Sequence, residues 1–151
     1  MASTISAATM TVTLTESVNL NGSNQGATNS LSIGSIAEVS KRIVNCPTSE
    51  KTVVSFGAAI AAGTFIEGDV RYVRITNKDD TNFVTLNIEG DASTDFSVRL
   101  DKGCSFIIAS SSTTGVVDYA DISGATLEDL TAIKATANTA ACDLEIFVAS
   151  A

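Results

Sequence analysis

The chain has no histidine and no tryptophan, a single proline, three cysteines, and only 17% charged residues in a length of 151. Without histidine there is no imidazole to serve as general base near neutral pH or as metal ligand. A serine–histidine or cysteine–histidine nucleophile is therefore impossible, and the sequence predicts a protein that is not an enzyme. Cys46, Cys104 and Cys142 are odd in number and far apart, which argues against a disulfide framework or a metal knuckle. They point to folding in a reducing cytoplasm, with Cys104 and Cys142 expected as buried structural thiols. No segment approaches the roughly 18 consecutive apolar residues that span a bilayer, so no membrane contact is expected. The first twenty residues lack the basic start and apolar run of a secretory signal.

Charge is scarce and unevenly placed. Residues 1–75 hold five basic and five acidic side chains, whereas 76–151 hold four basic and twelve acidic, so the net charge of −8 lies wholly in the second half. That half would repel a phosphate backbone. No lysine and arginine cluster offsets it, which speaks against direct nucleic-acid binding. Hydrophobic residues make up 44% but aromatics only 5%, so Ile, Val, Leu and Ala must fill the core. A lightly charged exterior rich in Ala, Ser and Thr suits a surface covered by partner subunits.

Alternation of apolar and polar residues dominates what is present. Met10, Val12 and Leu14 alternate with Thr11, Thr13 and Thr15 in a first strand. Residues 21–30, NGSNQGATNS, read as a mobile surface loop. Short strands follow at Ser30–Ile33, Glu38–Val44 and Lys51–Phe56, and the glycine-punctuated stretch 57–69 reads as a close-packed crossover. From Arg71 to Ile108 apolar residues recur at every second position between polar turns, the pattern of an antiparallel meander. Val73 and Ile75 lie on one face of a non-edge strand, with Tyr72 and Arg74 on the other. Val84, Leu86 and Ile88 form the next apolar set, then Phe96, Val98 and Leu100. Asp101–Gly103 provides a tight connection into Cys104–Ala109. Three hairpin joins would make a sheet of at least four strands.

The loop Ser110–Gly115 precedes a short extended piece marked by Val116, Val117, Tyr119 and Ile122. Strand is favoured over helix from Thr131 to Ala137. Asn138–Ala141 is expected to close a hairpin onto a last strand with Leu144, Ile146 and Val148 inward and Phe147 outward. The sum is eight to ten strands. The predicted fold is all-β, an antiparallel two-layer β-sandwich of jelly-roll type with short connecting turns, and a barrel is its competitor. Residues 1–20 form an N-terminal strand or arm, which can also belong to the single domain at 21–151.

Candidate chemistry is sparse. Asp79, Asp80, Asp91, Asp95 and Asp101 fall in turns that could meet and hold calcium, yet their spacing fits no EF-hand, and Asp is favoured in turns for backbone reasons. No metal site, cofactor or catalytic residue is assigned. The glycines of NGSNQG and GAAIAAG lack the ending of a phosphate-binding loop. Tyr72 and Phe147 lie opposite their strands' main aliphatic faces, as second-layer contacts or interface anchors. Met10, Val12, Leu14, Tyr72 and Phe147 are the candidate interface residues.

The run RYVRITNKDDTNFVTLNI (Arg71–Ile88), FSVRLDKGCSFII (Phe96–Ile108) and the ending LTAIKATANTAACDLEIFVA together resemble small virion structural proteins of tailed bacteriophages. The resemblance covers about half of the chain, from Asp69 onward, and its motifs describe β architecture rather than chemistry. It implies a head decoration or cement protein, a homotrimer that clamps major capsid protein subunits on the outer capsid surface of the virion and is assembled in the host cytoplasm. A tail or tail-fibre component is the alternative within that class, and a carbohydrate-binding module or metal-assisted hydrolase the alternative outside it.

Overall fold

A computed structural model describes residues 4–91, 95–111, 118–120 and 127–151. In chain order the strands are β1 (Ala8–Thr15), β2 (Asn19–Leu20), β3 (Ser23–Asn24), β4 (Thr28–Ile36), β5 (Glu38–Cys46), β6 (Lys51–Gly57) and β7 (Thr64–Ile66). They continue with β8 (Val70–Asn77), β9 (Val84–Gly90), β10 (Asp95–Leu100), β11 (Ser105–Ala109), β12 (Asp118–Ala120), β13 (Leu127–Ala137) and β14 (Cys142–Ser150). A single 3₁₀ turn, Glu67–Asp69, is the one helical element among the described residues.

Two sheets make the sandwich. One runs β10-β9-β13-β6-β7, with β12 also paired to β13, and the other runs β11-β8-β14-β5. Their facing sides bury Val73, Ile75, Leu144, Ile146 and Val148 against Val84, Leu86, Ile88, Val54 and Ile133, an aliphatic core as the composition requires. The all-β sandwich expected from alternation is what the chain forms, and β8 lies between β11 and β14 rather than at an edge. β13 is a strand, and β14 turns Leu144, Ile146 and Val148 to the core.

The expected meander is not the connectivity. β9 and β10 form a hairpin in one sheet, while the strands before and after them, β8 and β11, pair with each other in the opposite sheet. The joins at residues 77–82 and 101–104 therefore cross between layers, and so does 138–141, because β13 and β14 lie in different sheets. Alternation tells which residues face inward but is identical in both sheets of a sandwich, so it cannot distinguish a hairpin from a crossing.

Asn77 holds two of these crossings together. It is fully buried on the inward face after Val73 and Ile75. Its Nδ2 donates to the carbonyls of Asn82 (2.9 Å) and Leu100 (3.2 Å), and its Oδ1 accepts from the Asp79 amide (3.0 Å). Its backbone donates to Cys104 and accepts from Gly103.

The stretch 21–30 is not a loop. β1 and β4 pair antiparallel from Met10↔Ile33 to Thr15↔Thr28, and the same register continues through Asn19↔Asn24 and Leu20↔Ser23. Asn21 (φ 52°) and Gly22 (φ 81°) close the ribbon with the two positive φ values of a type I′ turn, which suits the right-handed twist of the flanking strands. Residues 8–36 are thus one long hairpin, and the strand expected at Ser30–Ile33 is its longer return limb. The crossover at 57–69 also differs from expectation: it carries β7, parallel to β6, and leaves Ile60 82% exposed. Of the extended piece around Val116–Ile122, Asp118–Ala120 forms β12; Val116, Val117 and Ile122, with 112–115 of the preceding loop, lie outside the described residues.

Gly26 sits where the ribbon narrows, and a Cβ there would come within 2.0 Å of the Glu16 carbonyl oxygen. Gly26→Ala is expected to open the ribbon beyond Glu16 while sparing its base. Amide hydrogen exchange should show protection lost for 16–27 and kept at 10–12 and 31–33, with global stability within about 0.5 kcal/mol of the parent. Equal loss at the base would contradict this.

Candidate functional site

The two outer faces of the sandwich differ in character. On the β9–β13 side, Thr85, Asn87 and Glu89 stand beside Thr136 and Lys134, and the Lys134 ammonium binds Glu89 at 2.6 Å. That face needs no cover. On the other sheet, cross-strand partners share a side, so Tyr72 and Ala149 lie on the outer face together, as do Arg74 and Phe147. Two large rings on an outer face call for a second apolar layer.

The base of the hairpin supplies it. Ile33 and Ile36 are buried with Tyr72 and Ala149 in a second apolar cluster, and Met10, Val12, Leu31 and Phe147 pack against it. The Tyr72 and Phe147 rings meet edge to face, centroids 5.9 Å apart, a favoured aromatic geometry. Burial raises the Tyr72 phenol above its usual range, with the neighbouring Arg74 opposing the shift. The structure thus joins Met10, Val12, Tyr72 and Phe147 in one place, within the chain. Leu14, next in the alternation, lies beyond the sheet and is 55% exposed.

From Thr13 to Ser30 every residue but Gly26 is exposed. At about 3.4 Å per residue the limb from Thr13 to the turn is roughly 27 Å long. Its polar face is a row of hydroxyls, Thr13 with Ser30 at 3.2 Å and Thr28 with Thr15 at 3.3 Å. Leu14, Val18 and Leu20 are its exposed aliphatic side chains. A two-stranded ribbon free in water is marginally stable, and its uncharged β1 and β4 lack the lysine or proline that usually guards an open edge.

Beside the hairpin base the outer face carries an ion-pair network. Glu145 of β14 binds Arg74 of β8 at 2.7 Å and Lys41 of β5 at 3.4 Å. The Arg74 hydrogen bond, aided by Lys41, holds the Glu145 carboxyl below its usual range. With a depressed folded value, the stabilisation is complete above the unfolded pKa and is lost as pH falls through the folded one. Glu145→Gln should therefore reduce the difference in melting temperature between neutral and acidic solution; an unchanged difference would contradict this role. Sequence reasoning missed the network because its partners are brought together only by the β5–β14–β8 order.

Asp79 accepts the Thr81 amide at 2.7 Å and also the Asn82 amide, which lowers its pKa, so it serves its own turn. Asp101 pairs with Arg99 at 2.7 Å. No group of three or more metal-ligating side chains occurs among the described residues. Cys46 and Cys142 are buried free thiols facing each other in register across β5 and β14, and burial raises the pKa of both. Cys104, expected to be buried, is exposed, because it falls in the crossing between β10 and β11 rather than within a strand. A groove of about 420 Å³ between β5 and β7 is bordered by Glu38, Arg42, Phe65 and Asp69. Among the described residues that border it, Phe65 is the single aromatic. No helix is long and apolar enough to cross a membrane among the described residues. No protein-family model matches the chain, and no curated protein does either.

Proposed function

We propose that this chain is a non-enzymatic virion structural protein, a head decoration or cement protein that bridges major coat subunits and stabilises the expanded capsid. The observation that carries this reading is the hairpin arm: a rigid sandwich holds its base through Tyr72 and Phe147, while its outer half offers Leu14, Val18 and Leu20 to a neighbour. The likeness of Arg71–Ile108 and the C-terminal strands to phage virion proteins supplies the setting.

The mechanism is interface thermodynamics. Contacts present in the intact shell and absent once it opens stabilise only the intact state, and symmetry repeats a modest contact over the whole surface. Heads of the encoding phage, stripped of this protein and then supplied with it again, should release DNA at a higher temperature than stripped heads alone. Identical release curves would contradict the proposal.

A further inference from the structure

Resting on that reading of the chain as an assembly subunit, we infer that the exposed half of the arm docks on a second copy of this chain, over the part of the outer sheet face that the second copy's own arm leaves bare. The arm's mode of contact is already visible within one chain. Met10 and Val12 lie against Tyr72 and Phe147, and the same alternation carries the apolar stripe outward to Leu14. A surface that binds this sheet at its base thus continues, unoccupied, beyond it.

The bare part of the sheet offers a matching surface. Val39 pairs with Ala149, Ile43 with Glu145 and Ile107 with Arg74, which puts all three on the same outer face as Phe147. They are 55%, 62% and 43% exposed. Between them lies the Lys41–Glu145–Arg74 network, in which the Lys41 side chain is 59% exposed. Residues 4–37 carry one charged side chain, Glu16, so the arm brings a carboxylate to a face with an accessible ammonium. Shape argues the same way, since an arm that stands clear of its own sandwich cannot fold back on Ile43. Each copy donates one arm and receives one, a contact that makes a closed oligomer where the exchange is reciprocal or the rotation between copies completes a ring.

The test uses the full chain with Cys104→Ser, leaving only buried native thiols. Leu20→Cys combined with Ile43→Cys should form disulfides between copies under mild oxidation, seen as multiples of 15.5 kDa on a non-reducing gel. Leu20→Cys combined with Phe96→Cys, which places the second thiol on the other sheet, should stay single. In parallel, light scattering should give a multiple of the chain mass for the parent. It should give a single chain for a variant in which residues 14–29 are replaced by Asn-Gly, closing the ribbon after the Thr13–Ser30 pair. A single-chain parent at all concentrations, a disulfide formed within one chain, or an unchanged mass in the shortened variant would each overturn the inference; if that variant misfolds by circular dichroism, the disulfide result decides. None of these measurements involves phage heads. Linked oligomers that ignore heads would sink the cement reading alone, and head binding by single chains would sink the arm exchange alone.

Discussion

Asn77→Ala is expected to lower the unfolding free energy by about 3 kcal/mol, roughly a hundredfold in the folding equilibrium. The side chain is fully buried, and its loss leaves the carbonyls of Asn82 and Leu100 and the amide of Asp79 without the partners they have now. Each such group costs about 1 kcal/mol or more when stranded away from water. Asn77→Asp should be no milder, because a carboxylate replaces the amide donor facing two carbonyl oxygens. Urea unfolding is the measurement: the midpoint should fall with the slope unchanged. Asn45→Ala is the control. Asn45 bonds Asp143 at an exposed site, and its loss should cost under about 0.5 kcal/mol. An Asn77 variant as stable as the control would show that the two layer crossings are held by something else.

If the chain is the cement protein proposed above, shortening the arm should have the opposite profile, with little stability lost and most of the attachment to heads gone. Leu14, Val18 and Leu20 each keep about half of their surface in water, and burying the remainder contributes about 1 kcal/mol per side chain. Together that is about 3 kcal/mol, so replacing residues 14–29 by Asn-Gly should weaken attachment to heads about a hundredfold. The loss is expected whether the arm grips a coat subunit directly or joins copies whose combined contacts hold the shell. The variant's melting temperature should stay close to the parent's, because the base cluster around Ile33, Ile36, Tyr72 and Ala149 is untouched. A variant that still raises the rupture temperature of stripped heads would remove the arm from the mechanism.

Much of the fold was legible in the residues. The inward sets Val73 and Ile75, Val84–Ile88 and Leu144–Val148 are the core, since two-residue alternation reports directly which side of a pleated strand is dry. Pairing was not legible, because the local chemistry of Asn77–Asn82 or Asn138–Ala141 suits a hairpin and a layer crossing alike. Asn77 itself was a usable signal: it continues an inward-facing aliphatic series, and a buried amide there must be bonding something.

The hairpin at 8–36 was missed for a different reason. Its return limb from Ser23 to Ser30 has no large apolar side chain, which resembles a loop, although Asn21-Gly22 is the strongest short hairpin signal in the chain. Four of the five interface candidates proved to be neighbours, but periodicity could not tell that Met10 and Val12 would meet Tyr72 and Phe147, more than fifty residues away. The exposed patch of Val39, Ile43 and Ile107 emerges only from strand order, since their strands are separated along the chain and joined through β8 and β14.

The proposed cement role is decided by co-sedimentation of the purified protein with tail-less phage heads, comparing expanded shells stripped of decoration with unexpanded procapsids. Saturable binding to the expanded shells alone is the result expected of a cement protein; absence from both would contradict that role.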